Sequence, residues 1–346
     1  MIKFNSPQKF IILFILSILP LLGFAQKVTF DNAKVKYTQL PIYPLPEEIK
    51  TYETGLVIEL PDETDKPDQL NNQYLKIQGY KKIKEGGDLI IDLVFGKFGL
   101  LGKELKTGEV YNINAGENMT GYFYKIHCKY PVTLTVITGN GKEMLRQDVK
   151  PDKDPLNFDF GKWKYSVEDL NNKFNEEQEK LFLEKQKKYI KSALNQAKNT
   201  LNSFYGYPEK SEKIKIASGK GKKFNYEDLE MAFGHAEKAF EGLTNNNETE
   251  VIHQEFNAAI EIWKKAIAES DGGKKSRISP AIKMMLFYNC AVANLWIDNF
   301  EKAREHLAEA TKMVVDKTSS SHKKLLEDLK ETIEDKEKRY LANLKD

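Results

Sequence analysis

The spacing of the apolar residues changes near residue 162, and this change limits what the chain can fold into. Before that point apolar residues tend to alternate with polar ones, and a period of two is typical of β-strands. The clearest alternating set is Leu89, Ile91, Leu93 and Phe95. After that point they recur every three or four positions, which is typical of amphipathic helices. The sequence therefore predicts an α+β chain with two domains, a β domain at residues 26–162 and a helical domain at residues 163–346.

The first domain is predicted to be a sandwich of antiparallel sheets. Strand patterns recur along it and are separated by segments rich in Gly, Pro and Asp, as in known β-sandwiches. Asn140-Gly141 supplies the positive φ angles of a tight hairpin between two of these strands. Residues 151–163 mix prolines with acids and end the strand pattern, so we place the domain boundary there.

Residues 1–25 have the three parts of a secretory signal peptide. Two lysines precede an apolar run from Phe10 to Leu22, and the step Gly-Phe-Ala follows. The run is shorter than the roughly 20 residues that cross a bilayer. We expect cleavage after Ala25 and a periplasmic or secreted protein with no transmembrane span, and the alternative is an uncleaved anchor.

The overall charge gives no reason to expect a nucleic-acid partner. Lys and Arg number 53 against 51 Asp and Glu, and two of the lysines precede Ala25. The expected mature chain is therefore neutral, and it has no broad attraction for polyanions. A protein in the cell envelope is the partner that we expect.

Two helical segments share one order of residues, namely an aromatic residue, an alanine, a large apolar residue and a second alanine, at intervals of three, four and three. The two sets are Phe256, Ala259, Trp263 and Ala266, and Phe300, Ala303, Leu307 and Ala310. The alanines allow a neighbouring helix to approach closely, and the large side chains fill the gaps. We therefore expect both segments to pack in helical hairpins.

This pattern resembles the tetratricopeptide repeat in the segment from Met284 to Ala310. The matching residues are Phe287, Cys290, Ala291, Phe300, Ala303, Leu307 and Ala310. The copy has Asn294 where the family usually has an aromatic residue, and it lacks the closing proline. Ala259 and Ala303 are 44 residues apart, against a family period of about 34. The resemblance implies a secreted bacterial envelope protein, with an N-terminal β domain, whose repeats bind proteins in a concave groove.

The resemblance also implies which side chains face the groove. These candidates for partner binding are Met285, Tyr288, Asn289, Val292, Leu295 and Trp296. Most of them are apolar. The alternative is that they pack against the preceding hairpin or the first domain.

No group of residues has the pattern of a catalytic or metal site. The five histidines form no pair on one helix face, and the chain has no Gly-x-Ser-x-Gly motif. We therefore expect no cofactor, no metal and no enzyme activity. Cys128 and Cys290 are predicted to be buried. The alternative is that they form a disulfide in an oxidising compartment.

These observations favour a non-catalytic periplasmic adaptor or scaffold that binds protein partners in an envelope complex, for secretion or biogenesis, through its helices. One alternative is a carbohydrate-binding module on the Tyr-rich β domain. The other is an unrecognised enzyme that acts on cell-surface polymers.

Overall fold

The structure is a computed structural model that describes residues 27–61, 66–112, 116–151, 155–164 and 166–344. The predicted signal peptide, residues 1–25, lies outside the described residues. The described part of the chain contains both helices and sheets, as expected for the α+β class.

The described elements follow one another as strands with one short helix among them, one long helix, a further strand and then helices. The strands are β1 (Lys27–Thr38), β2 (Thr51–Val57), β3 (Lys81–Lys82), β4 (Leu89–Phe95), β5 (Gly99–Asn112), β6 (Glu117–Lys129), β7 (Val132–Thr138), β8 (Glu143–Asp148), β9 (Asn157–Lys164) and β10 (Glu209–Lys220). The helices are α1 (Pro67–Tyr74), α2 (Val167–Phe204), α3 (Glu227–Asn245), α4 (Thr249–Ala268), α5 (Pro280–Trp296), α6 (Phe300–Lys312) and α7 (Ser320–Asn343).

The chain forms two compact units that do not follow the predicted boundary at residue 162. The sheet unit is Gln39–Pro208, and the helical unit is the chain up to Thr38 together with Glu209–Asp346. The sheet unit is thus inserted between β1 and β10, which pair with each other along their whole length. The change of apolar spacing marks a change of secondary structure and not a domain boundary.

The sheet unit contains a mixed sheet and an antiparallel sheet. The five-stranded sheet has the order β3-β2-β4-β7-β8, and β2 runs parallel to both β3 and β4. A crossover that includes α1 joins β2 to β4, and such a connection allows parallel pairing. The second sheet has the order β5-β6-β9 and is antiparallel. The structure therefore does not establish the predicted sandwich of antiparallel sheets. The sequence did not predict the parallel pairs, because the alternation of apolar residues does not encode strand direction.

Two local features of the sheet unit differ in how well the sequence predicted them. The hairpin at Asn140-Gly141 is confirmed, since it joins β7 to β8, but of these two residues only Gly141 has the predicted positive φ, at 86°. The helix α2 was assigned to the helical domain, but it belongs to the sheet unit. Its residues Leu170, Phe174 and Leu201 are buried in the same core as the strands.

The helical unit consists of the antiparallel β1–β10 strand pair and the helices α3 to α7. Helix α3 packs against α4, and α5 packs against α6. Their apolar sides, together with Ala33, Val35 and Ile216 of the strand pair, form one core. The helices do not establish a tetratricopeptide repeat, and none of the described helices has the length and apolar character needed to cross a membrane.

The residues of the predicted repeat spacing lie inside the helical core. Apart from Phe287, which is partly buried, all of them are buried: Phe256, Ala259, Trp263, Ala266, Ala291, Phe300, Ala303, Leu307 and Ala310. The alanines are fully buried in the core that the helices α3 to α7 share with the β1–β10 strand pair. This placement fits the packing role that their spacing predicts.

Candidate functional site

The residues predicted to line an open groove are buried in the helical unit. The set is Met285, Tyr288, Asn289, Val292, Leu295 and Trp296. Helix α5, which carries them, contacts α4, α6, α7 and both strands of the β1–β10 pair. The predicted groove surface is therefore wrong for this structure. The alternative, in which these side chains pack against the preceding helical hairpin or the first domain, describes them better, because α5 contacts α4 and β1.

Asn289 shows why a polar residue occupies this buried face. Its side-chain amide donates a hydrogen bond to the carbonyl oxygen of Ala217 at 2.7 Å and accepts one from the Ala217 backbone N–H at 2.8 Å. Ala217 lies on β10 and is 2% exposed. The amide thus supplies the partners that a neighbouring strand would otherwise supply.

Trp296 lies at the end of α5 in a cluster of aromatic and charged side chains. The Nζ atom of Lys336, on α7, lies 3.1 Å from the centroid of the Trp296 ring. The ring of Tyr37 packs edge-on against the same tryptophan at 5.0 Å, and the Tyr37 hydroxyl donates a hydrogen bond to Glu212. These contacts join α5, α7 and the strand pair, so Trp296 stabilises the packing of these elements and is not free to bind a partner.

A cleft of about 430 Å³ opens elsewhere on the helical unit. Its walls come from the α4–α5 connection, the first turns of α5, the α6–α7 connection and the first turn of α7. The lining residues are Lys274, Ser279, Pro280, Ala281, Met284, Met313, Val315, Lys317, Thr318, Ser319 and His322. We call it the Met-Lys cleft. Val315 is 62% exposed, so apolar surface remains accessible there.

The α4–α5 connection, which carries Lys274, is held by Arg277. The guanidinium of Arg277 donates two hydrogen bonds to the Asp228 carboxylate, at 2.7 and 2.8 Å, and two more to Glu269, at 2.8 and 3.0 Å. A planar guanidinium that is shared by two carboxylates fixes the direction of the backbone. Arg277 therefore fixes the α4–α5 connection from which Lys274 extends.

The electrostatics of the Met-Lys cleft favour an anion. Lys274 and Lys317 line it, and no acidic side chain is among the described lining residues. The helices α5 and α7 both begin at the cleft, and neither has an acidic residue in its first turn. Every other described helix has at least one there. Helix N-termini carry partial positive charge, which is left without a compensating carboxylate in these two.

Ser279 adds a polar group to the same end of the cleft. It precedes α5 as its N-cap and is 6% exposed. Its hydroxyl makes no capping hydrogen bond to the helix, and no hydrogen bond to it is found among the described residues. The Oγ atom itself is not enclosed, since Trp263 Nε1 is the one fully buried side-chain polar atom without a partner among the described residues. A ligand with an acceptor oxygen would satisfy Ser279 together with the first N–H groups of α5.

His322 closes the cleft on the side of α7. Its ring packs edge-on against Phe30 of β1, with 5.7 Å between the centroids. Burial lowers the pKa of His322, so the imidazole is neutral at pH 7. The ring therefore contributes apolar surface at neutral pH and becomes cationic only under acidic conditions.

The sequence alone did not predict the Met-Lys cleft. Its residues come from two connections, SDGGKKSRISP and VDKTSS, which look like solvated linkers when read alone. One signal was present: the helices that follow begin with Pro280 and Ser320 and have no acid in the first turn. Only the fold brings these two helix starts together.

The described chain offers little for metal or thiol chemistry. No group of three or more His, Cys, Asp or Glu residues that could hold a metal is found among the described residues. Cys128 and Cys290 are buried thiols, and burial raises the pKa of Cys290 to about 12. The Cys290 thiol therefore has no thiolate character at neutral pH.

Searches with this chain against protein-family models, curated proteins and solved structures found no match.

Proposed function

We propose that this protein is an exported, non-catalytic adaptor whose helical unit binds a segment of a partner protein in the Met-Lys cleft. The segment is mainly apolar and carries one carboxylate. The observation that supports this most is the convergence of Lys274, Lys317 and two acid-free helix N-termini on an open apolar cleft.

The apolar part of the cleft suits side chains of varied shape. Met284 and Met313 line it, together with Pro280 and Val315. Methionine is flexible and polarizable, so such surfaces adapt to different apolar groups. Burial of apolar surface here contributes about 25 cal/mol per Å² before the costs of ordering are subtracted.

The polar part of the cleft gives the segment its orientation. A carboxylate near the start of α5 would accept hydrogen bonds from the Ser279 hydroxyl and from the backbone N–H groups of the first turn. Lys274 and Lys317 would add long-range attraction. An apolar segment without a carboxylate leaves these donors without an acceptor, so it should bind less tightly.

Export is proposed from the sequence alone. The basic start, the apolar run and the small residues before Gln26 favour removal of residues 1–25 by a signal peptidase. N-terminal sequencing of the protein from the envelope fraction of the producing cell tests this step. The expected first residue is Gln26, and a chain that retains Met1 contradicts it.

The binding proposal can be tested by panning a random-peptide phage library on the full mature chain. We expect selected peptides to combine apolar residues with one Asp or Glu. The comparison variant is Lys274→Glu/Lys317→Glu, which should lose this selection. The matched control is Lys330→Glu/Lys338→Glu, which changes the charge equally on α7 but outside the cleft, and it should select the same peptides as the wild type. Selection that is unchanged by the cleft substitutions, or no selection at all, contradicts the proposal.

A further inference from the structure

The strand β5 leaves one long edge of the sheet unit unpaired. Among the described strands it pairs only with β6, over Gly99–Asn112. Exposed apolar side chains are concentrated on it: Leu100, Leu101, Leu105 and Tyr111. An exposed edge of this length is a template for another strand, because its outward N–H and C=O groups have no strand partner.

The sequence of β5 is complementary to itself about Leu105. If two copies pair in antiparallel fashion with Leu105 opposite Leu105, then Glu104 of each copy faces Lys106 of the other. The same register places Gly102 opposite Gly108 and Lys103 opposite Thr107. Two opposite-charge pairs then flank one apolar pair, and directly opposed residues contribute most to strand pairing.

The charged residues of β5 need a separate argument, because lysines on an edge strand often prevent pairing. In the single chain, the Lys106 ammonium lies 2.8 Å from the Glu104 carboxylate, and both side chains are about half exposed. That ion pair keeps Glu104 ionised: the hydrogen bond and the charge of Lys106 lower its pKa. Glu104 and Lys106 therefore each have an opposite charge available within the chain and across the proposed interface. Lys103, which faces Thr107 in this register, instead places its Nζ over the rings of Tyr124 and Phe174, at 4.3 and 4.6 Å from their centroids.

We propose that two copies of this protein form a symmetric dimer through antiparallel pairing of β5 with β5, with Leu105 at the twofold axis. The two three-stranded sheets would then become one continuous sheet of six strands. A closed twofold contact uses the same surface on both copies, as most soluble homo-oligomers do. This inference is independent of the Met-Lys cleft, which lies in the helical unit.

The first test measures the mass of the full mature chain by analytical ultracentrifugation over a range of concentrations. We expect a dimer that dissociates on dilution. Glu104→Lys places lysine opposite Lys106 twice, and Lys106→Glu places glutamate opposite Glu104 twice. Each variant alone should dimerise about tenfold or more weakly than the wild type.

The decisive step mixes these two variants in equal amounts. In the mixed dimer both charge pairs are again opposite in sign, so the mixture should recover a dimer that neither variant forms alone. The double variant Glu104→Lys/Lys106→Glu should also dimerise about as tightly as the wild type. The matched control is Glu143→Lys on β8, the edge of the other sheet, which should leave dimerisation unchanged.

Two results would overturn this inference. One is a wild-type chain that stays monomeric at every concentration. The other is a dimer whose affinity does not respond to the single charge reversals or is not recovered in the mixture, because such a dimer must use another surface. Circular dichroism of each variant confirms that its monomer is folded.

Discussion

The side-chain amide of Asn289 holds the backbone of Ala217 by two hydrogen bonds, one in each direction. Ala217 faces Phe30 in the β1–β10 pairing, so this contact occupies the side of β10 that faces away from β1. Helix α5 is thereby fixed to the strand pair. A residue that sequence reasoning assigned to partner binding instead stabilises the helical unit.

Replacement of Asn289 by leucine should destabilise the protein strongly. The substitution removes both hydrogen bonds and leaves the buried N–H and C=O of Ala217 unsatisfied, at about 1–3 kcal/mol for each group. Urea unfolding of the wild type and of Asn289→Leu measures the difference. The control is Asn257→Leu at an exposed position of α4, which should change the free energy of unfolding by less than about 0.5 kcal/mol. Equal stabilities for the two variants would contradict the role of the amide.

The small residues of the predicted repeat spacing should not tolerate enlargement. Ala303 is fully buried on α6, whereas Ala308 is exposed on the same helix. Ala303→Leu forces α5 and α6 apart and should cost about 1–3 kcal/mol or more. Ala308→Leu should be nearly neutral. Thermal unfolding of the two variants tests this, and a similar melting temperature for both would mean that the alanine spacing does not set the helix contact.

Lys336 should contribute stability that grows at alkaline pH. Burial lowers the pKa of Lys336 to about 8, against the opposing charges of Asp298, Glu212 and Asp335. Between pH 8 and the ordinary lysine value of about 10.4, Lys336 binds fewer protons in the folded state than in the unfolded state, so its contribution to the free energy of unfolding rises with pH. Cys290, whose pKa burial raises to about 12, contributes the opposite slope above its ordinary value, so the Lys336 contribution is read from the difference between variants.

Urea unfolding between pH 7 and pH 10 measures this slope. Lys336→Met keeps the stem beside Trp296 but removes the titration, so the slope of its free energy of unfolding against pH should be less positive than that of the wild type. Lys330→Met on the exposed side of α7 should retain the wild-type slope. Buried tyrosines such as Tyr288, whose pKa burial raises to about 12, limit the measurement to pH values below their titration. Equal slopes for the wild type and Lys336→Met would show that Lys336 does not titrate in this way.

Mild acid should destabilise the helical unit through two partly buried histidines, His306 and His322. Burial lowers the pKa of His306 and of His322. As pH falls below the ordinary value of about 6.5, the unfolded state takes up protons that the folded state does not bind, so stability is lost until the lowered pKa values are passed. Thermal unfolding between pH 7 and pH 5 should show a lower melting temperature at pH 5, and His306→Gln/His322→Gln should reduce the difference. A double variant with the full wild-type difference would assign it to other groups.

Periodicity predicted the strands before residue 162 and most of the helices after it, because the spacing of apolar residues follows directly from local geometry. It missed the helix α1 within the predicted β domain and the strand β10 within the predicted helical domain. The hairpin at Asn140-Gly141 follows from a turn that requires positive φ. Strand direction and unit membership depend on long-range pairing. Nothing in the sequence near β1 indicates that its partner, β10, begins at Glu209.

The candidate site was less predictable than the fold. The buried face of α5 is apolar, so its residues suit either a groove or a core, and only the β1–β10 pairing decides between them. The Met-Lys cleft depends on two connections that meet in space, and Lys274 and Lys317 are 43 residues apart in the chain. Sequence spacing cannot reveal such a juxtaposition.

The most direct test of the proposed function is a titration calorimetry cycle with a peptide chosen by the phage selection. The peptide and its analogue, in which the single Asp or Glu is replaced by the corresponding amide, are each titrated into the wild type and into Lys274→Gln/Lys317→Gln. We predict that loss of the carboxylate weakens binding to the wild type about tenfold or more, but weakens binding to the lysine variant much less. An equal loss of affinity in both proteins would show that the peptide carboxylate does not interact with these lysines, and the proposed recognition would be wrong.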